Sequence, residues 1–156
     1  MILSFGHTGV TRKAAERLAE LLENAEIMEG IPEEFPSGFD SYVLGTNVHF
    51  GRLNKQFKKC VKQFGEVFHL SNTFVYVVGV EVEKSEKYIR LAQKVVPYAW
   101  DVRYVWGELN AEGATSFQRF FIEAYRSGRE GDGLPKPRLL DKEIRMLSES
   151  INHFAE

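Results

Sequence analysis

Cysteine is nearly absent. Cys60 stands alone, which excludes an intramolecular disulfide, and no Cys/His set has the spacing of a tetrahedral zinc site; no metal is expected. Long apolar runs are missing too: none approaches the ~20 residues of a membrane helix. The start, Met1-Ile2-Leu3-Ser4-Phe5, passes straight into Gly6 without the basic and apolar pattern of a secretory signal, so the cytoplasm is the expected address. Nor is there an excess of one charge. Lys+Arg number 20 against 22 Asp+Glu, net −2, and they are interspersed, so nucleic acid is not an expected partner. What is present is 44% hydrophobic residues over 156 positions, enough for one domain spanning 1–156 whose core needs no disulfide or structural metal.

Periodicity organises the chain into alternating strands and helices. Ile2 to Phe5 is a short apolar run ended by Gly6, and Ala14, Ala15, Leu18, Ala19 and Leu22 then recur on one helical face. A brief second strand fits Ala25 to Met28, followed by a connection that Gly30, Pro32, Pro36 and Gly38 keep from being a long helix. Tyr42-Val43-Leu44 reads as a buried third strand ending at Gly45, with Leu53, Phe57, Val61 and Phe64 at helical spacing behind it. Phe74 to Val80 and Trp100 to Trp106 supply two more strands, the last an edge strand by its alternation, separated by a helix that Pro97 stops. Downstream, Phe117, Phe120, Phe121, Ala124 and Tyr125 stripe a helix, Ser127 to Pro137 reads as a mobile loop, and Asp141 caps a last helix. Five strands interleaved with helices predict an α/β three-layer sandwich: a five-stranded parallel sheet of order 2-1-3-4-5, with a ligand at the carboxyl ends of strands one, three and four.

The first strand exits through Gly6-His7-Thr8-Gly9-Val10-Thr11 into a helix N-terminus. Free N–H groups and the positive end of the helix dipole suit a phosphate there, and Thr8 and Thr11 can add hydroxyl donors; the alternative is that Thr8 or Thr11 merely caps the helix. Neither a G-x-x-x-x-G-K-[ST] loop nor G-x-G-x-x-G is present, which argues against a nucleoside triphosphate. Phosphoacceptor receiver domains need carboxylates where this chain has Ser4, Phe5 and Gly45.

Thr8, Gly9 and Thr11 match the pattern [ST]-x-T-G-x-T, and in this the chain resembles the flavodoxin family, departing from it at Gly6 and Val10. The segments Gly45 to Leu53 and Gly107-Glu108-Leu109-Asn110, the aromatic helix and the glycine-rich loop behind it look like the menaquinone-dependent protoporphyrinogen oxidase branch. The resemblance implies noncovalent FMN used for electron transfer or dehydrogenation. It further implies a redox donor and acceptor, such as a porphyrinogen, a quinone or a redox protein. Cofactor-binding candidates are Gly6, His7, Thr8, Gly9, Val10 and Thr11 in the first loop, Thr46, Asn47, Val48, His49, Phe50 and Gly51 in the second, and Gly79, Val80 and Glu81 in the third. No catalytic acid or base is required, because the flavin carries the chemistry.

The residues of the second loop agree with a flat ring having polar edges, although Phe50 as a buried anchor and His49 as a solvated residue are the alternative. Glu81 and Glu83 would disfavour an anionic reduced flavin, unless they are simply solvated. The Phe117–Tyr125 stripe has core as its ordinary reading and a docking surface, for a partner or peripheral membrane contact, as the other. Trp100 and Trp106 are expected to be packed, and Cys60 inert. A flavin-free binding or scaffold domain of the same fold is the competing function, motivated by Gly6 and Val10.

Overall fold

A computed structural model describes residues 1–6, 9–109 and 115–155. Its strands are β1 (Ile2–Phe5), β2 (Ile27–Glu29), β3 (Ser41–His49), β4 (Arg52–Leu53), β5 (Asn72–Gly79) and β6 (Asp101–Trp106). Five of them form a parallel sheet of order β2-β1-β3-β5-β6, while β4 folds back antiparallel on the end of β3. Apart from that two-residue insertion this is the predicted order, with β6 at the edge. The helices are α1 (Val10–Ala19), α2 (Lys55–His69), α3 (Ser85–Val95), α4 (Ser116–Gly131) and α5 (Asp141–Ala155).

Successive strand residues point to opposite faces, and each face has its own core. On one, Leu3, Phe5, Leu44, Val75 and Val77 meet α2 and α3 through Phe57, Cys60, Phe68, Tyr88 and Ala92. On the other, Ile2, Val43, Phe74, Tyr76 and Val105 meet α1 and α5 through Ala14, Leu18, Ile144 and Leu147. Each fully buried Leu or Phe contributes roughly 1.5–3 kcal/mol, so the two layers hold the sheet from both sides. Cys60 lies wholly inside, and burial pushes its thiol up to about 12, which makes it inert as expected.

Several boundaries differ from the sequence expectations. The second strand lies slightly later than Ala25 to Met28, and Asp141 is a first-turn residue of α5, ion-paired with Arg17, rather than its cap. The third strand does not stop at Gly45 but continues to His49. Gly45 leaves the backbone extended and serves instead as a gap: a Cβ there would lie 2.0 Å from Cζ of Tyr76, whose ring crosses it from β5. Helix α4 runs on to Gly131, so the loop expected from Ser127 begins only beyond it. Its start is a capping box between Thr115 and Gln118, and its last turn is pinned by buried Arg129, which together outweigh the glycines. Trp106 is packed, but Trp100 is exposed and rests on Phe154 at 4.5 Å. The aromatic stripe of α4 is not core: Phe117, Phe120 and Phe121 are 70%, 65% and 43% exposed.

Candidate functional site

Register brings four of the strand exits together. Phe5 of β1 pairs with Thr46 of β3, Thr46 with Val77 of β5, and Val77 with Tyr104 of β6, so the carboxyl ends of four strands form one row. The chain leaves β1 and β3 in opposite directions across the sheet, which opens a crevice between their ends.

The first turn is built around a helix start. Gly9 is the N-cap of α1 at φ 74°, a left-handed conformation that favours glycine, and among the described residues no side chain caps the N–H groups of the first turn. Among the described residues nothing lies within 4 Å of where a Cβ on Gly9 would stand. Thr11 is buried inside the first turn, and its Oγ1 finds no hydrogen-bond partner among the described residues. Thr11 therefore does not act as the cap, and Thr8, the other capping candidate, is not among the described residues. His7 and Thr8, both site candidates, lie outside the described residues, as does Asn110.

Both departures from the family pattern have packing causes. A Cβ on Gly6 would fall 2.4 Å from Thr11 Oγ1, so glycine makes room for that hydroxyl. Val10 is buried in the core that α1 shares with the sheet, where a polar side chain would lose its hydration. The Tyr76 hydroxyl, carried across Gly45, donates to the Thr11 carbonyl at 3.0 Å and ties α1 to β5. Burial raises the Tyr76 phenol far above its ordinary value, keeping it a neutral donor.

The second candidate segment is largely strand rather than loop. Thr46 and Asn47 are buried within β3, and Asn54, the N-cap of α2, closes on both. Its side-chain amide donates to Asn47 Oδ1 at 3.0 Å, its backbone N–H lies 3.3 Å from Thr46 Oγ1, and its Oδ1 accepts from the Gln56 N–H at 2.8 Å. Phe50 and Gly51 make a two-residue hairpin turn with φ of 48° and 73° at their centres, as a type I′ turn requires. Glycine adopts this readily, whereas Phe50 pays roughly 1–2 kcal/mol. That strain presents its ring at 76% exposure, so Phe50 is no buried anchor. His49 is exposed, with its ring 4.4 Å from Phe50, and Val48 is half-buried beside the core.

The third segment is held from below. A Cβ on Gly79 would meet the Tyr104 hydroxyl at 2.5 Å, and the Val80 carbonyl accepts from the Trp106 indole at 2.9 Å. Tyr88 donates to Glu81 at 2.7 Å, and Lys84 ion-pairs with the same carboxylate. Burial pushes the Glu81 carboxyl up, but the hydrogen bonds from Lys84 and Tyr88 outweigh it and hold it below its ordinary value. Glu83 pairs with Arg129 at 2.9 Å. Both carboxylates are thus matched by cations, which weakens the field that they were expected to set against an anionic flavin.

The residues present fit a phosphate-bearing flavin at two points: a helix N-terminus that no described side chain caps, with a buried hydroxyl lacking a partner among the described residues, and an exposed aromatic beside buried amides. Asn54, Tyr76, Tyr104 and Arg129 were not singled out from sequence. Asn54 could have been, as an Asn immediately before a helical repeat; Tyr76 and Tyr104 act across strands and Arg129 reaches Glu83 from α4, so none of these leaves a local signal.

Residues 1–134 match the family model described as Flavodoxin domain. No curated protein matches the chain. The chain belongs to this flavodoxin family, a flavin-binding, electron-transfer fold.

Proposed function

We propose that this flavodoxin-family chain binds FMN noncovalently and passes electrons from a reduced donor to an acceptor of quinone or redox-protein type. The observation that carries this reading is the buried Thr11 hydroxyl, without a hydrogen bond among the described residues, in the first turn of α1, which no described side chain caps. An anion there would satisfy donors that no described residue satisfies. FMN, when bound, supplies the redox chemistry. The chain's own part is to hold and shield. Gly6 through Thr11 would bind the phosphate. Thr46, Asn47, Val48, His49, Phe50 and Gly51 would hold one side of the ring, and Gly79, Val80 and Glu81 the other. The Asn54 bonds keep the hairpin in place, and the Lys84–Glu81–Tyr88 knot does the same for the third segment. Dehydrogenation of a porphyrinogen with a quinone as acceptor is the sharper version of this reading, and anaerobic turnover of protoporphyrinogen with menaquinone tests it separately.

The first experiment is the visible spectrum of the purified protein, then titration of apoprotein with FMN and with riboflavin. We expect quenched FMN fluorescence, with riboflavin at least about tenfold weaker because it lacks the charged phosphate. Gly9→Val should lose FMN while keeping the fold. Neither spectrum nor quenching at micromolar protein would leave the flavin-free scaffold as the better reading.

A further inference from the structure

Helix α4 is amphipathic in the reverse sense. Its outward row, Phe117, Phe120, Phe121, Ala124, Gly128 and Gly131, is exposed throughout and carries no side chain able to hydrogen-bond, whereas its inward residues are Ile122, Tyr125 and the buried cation Arg129. Phe121 is the hub of an aromatic cluster, with ring centroids 4.7 Å from Phe117, 5.9 Å from Phe120 and 6.3 Å from Phe50 on the hairpin tip. Two separate segments thus contribute to one exposed apolar patch. Single exposed hydrophobics are ordinary, but four clustered phenylalanines mark an interaction surface.

Charge says what kind. Between Ser116 and Arg138, leaving out buried and ion-paired Arg129, four Lys/Arg stand against three Asp/Glu, net +1 in a chain that is net −2. Arg52, next to the hairpin, and Arg119, on α4, are exposed and enter no ion pair among the described residues, and Arg126 bonds a backbone carbonyl, Leu109 O, at 2.7 Å. Protein interfaces also enrich aromatics and Arg, but set them among direct hydrogen bonds and a polar rim. A face of phenylalanines alone, backed by uncompensated guanidinium groups, fits a non-directional apolar solvent under an anionic surface. We propose that α4, flanked by the Phe50 hairpin tip, docks this protein onto an anionic lipid bilayer, with the helix lying in the interface, the Phe117, Phe120 and Phe121 rings among the acyl chains and Arg52 and Arg119 at the headgroup phosphates. No helix among the described residues is long and apolar enough to cross a membrane, so the contact is peripheral at these residues.

The test is co-sedimentation of the full chain with vesicles of phosphatidylcholine, with and without roughly a quarter phosphatidylglycerol. Wild-type protein should pellet with the anionic vesicles and be released by salt. Phe117→Ser/Phe120→Ser should weaken this at least about tenfold, and Arg52→Gln/Arg119→Gln should weaken it several-fold while flattening its salt dependence. As a measurement without mutation, amide exchange in Ser116–Gly131 of the wild type should slow when anionic vesicles are added. Three results would overturn the proposal: protein left in the supernatant at millimolar lipid, a phenylalanine variant that pellets like wild type, or a concentration-dependent dimer that the same variant abolishes. Apoprotein and FMN-supplemented protein are scored alike, so failure of the flavin reading leaves this result standing.

Discussion

In α2, Phe57, Cys60, Val61 and Phe68 are buried under the sheet; in α4, a comparable aromatic repeat faces outward and Arg129 is the buried residue. The two helices differ in what they land on. Helix α2 lies against Leu44, Val75 and Val77, an apolar surface that any apolar stripe will seek. Helix α4 lies beyond the carboxyl ends of the strands, where its neighbours are Glu83, the Leu109 carbonyl and the Pro135 carbonyl, so hydrogen-bonding groups turn inward. Periodicity measures how unlike the two faces of a helix are. The neighbouring surface decides which of them is covered.

Core truncation should separate the two most sharply. Phe57→Ala should cost about 3–5 kcal/mol in urea denaturation, while Phe120→Ala should stay within about 0.5 kcal/mol. A cost above about 2 kcal/mol for Phe120→Ala would break the comparison. Next comes Arg129→Leu, which removes the bonds to Glu83, Tyr125 and the Pro135 carbonyl. We expect α4 to become a preferred site of limited proteolysis while the global midpoint moves by less than about 1.5 kcal/mol, because α4 belongs to neither core.

The caps give a smaller contrast. Asn54→Ala should cost about 1–2 kcal/mol globally, since Asn54 also closes the hairpin, whereas Thr115→Ala should cost about 0.5–1 kcal/mol and show only as faster amide exchange in α4. The smallest effect is in acid. Glu81 titrates below its ordinary value in the folded protein, so its stabilisation is complete above the unfolded pKa and is lost as pH falls through the lower folded one. Urea midpoints of wild type and Glu81→Gln should therefore differ at neutral pH and converge in that acid window; a constant gap would show that the knot does not titrate.

These cases also show what was legible in the sequence. Strand order followed from apolar runs and crossover rules, and the first turn from Gly9 and Thr11, because each is a local pattern. The continuation of β3 past Gly45 was hidden, since the reason for that glycine, Tyr76, lies one strand away. The outward face of α4 and the exposure of Trp100 were hidden for a related reason: both depend on where the neighbouring surface ends. Asn54 was visible as a cap yet not as a clasp, because its partners lie in β3, before the hairpin turn.

Three glycines under the site, Gly6, Gly45 and Gly79, each lie beneath a hydroxyl-bearing neighbour: Thr11, Tyr76 and Tyr104. Each pair is a complementary step in size, so neither member is free to vary alone. Enlarging a glycine is tolerated only when its partner shrinks, which makes Gly45→Ala with Tyr76→Ala milder than the sum of the two single changes. In breeding new ligand preferences into this scaffold, the unit of change beneath the site is a pair of residues, and libraries that vary one position at a time will read all six as untouchable.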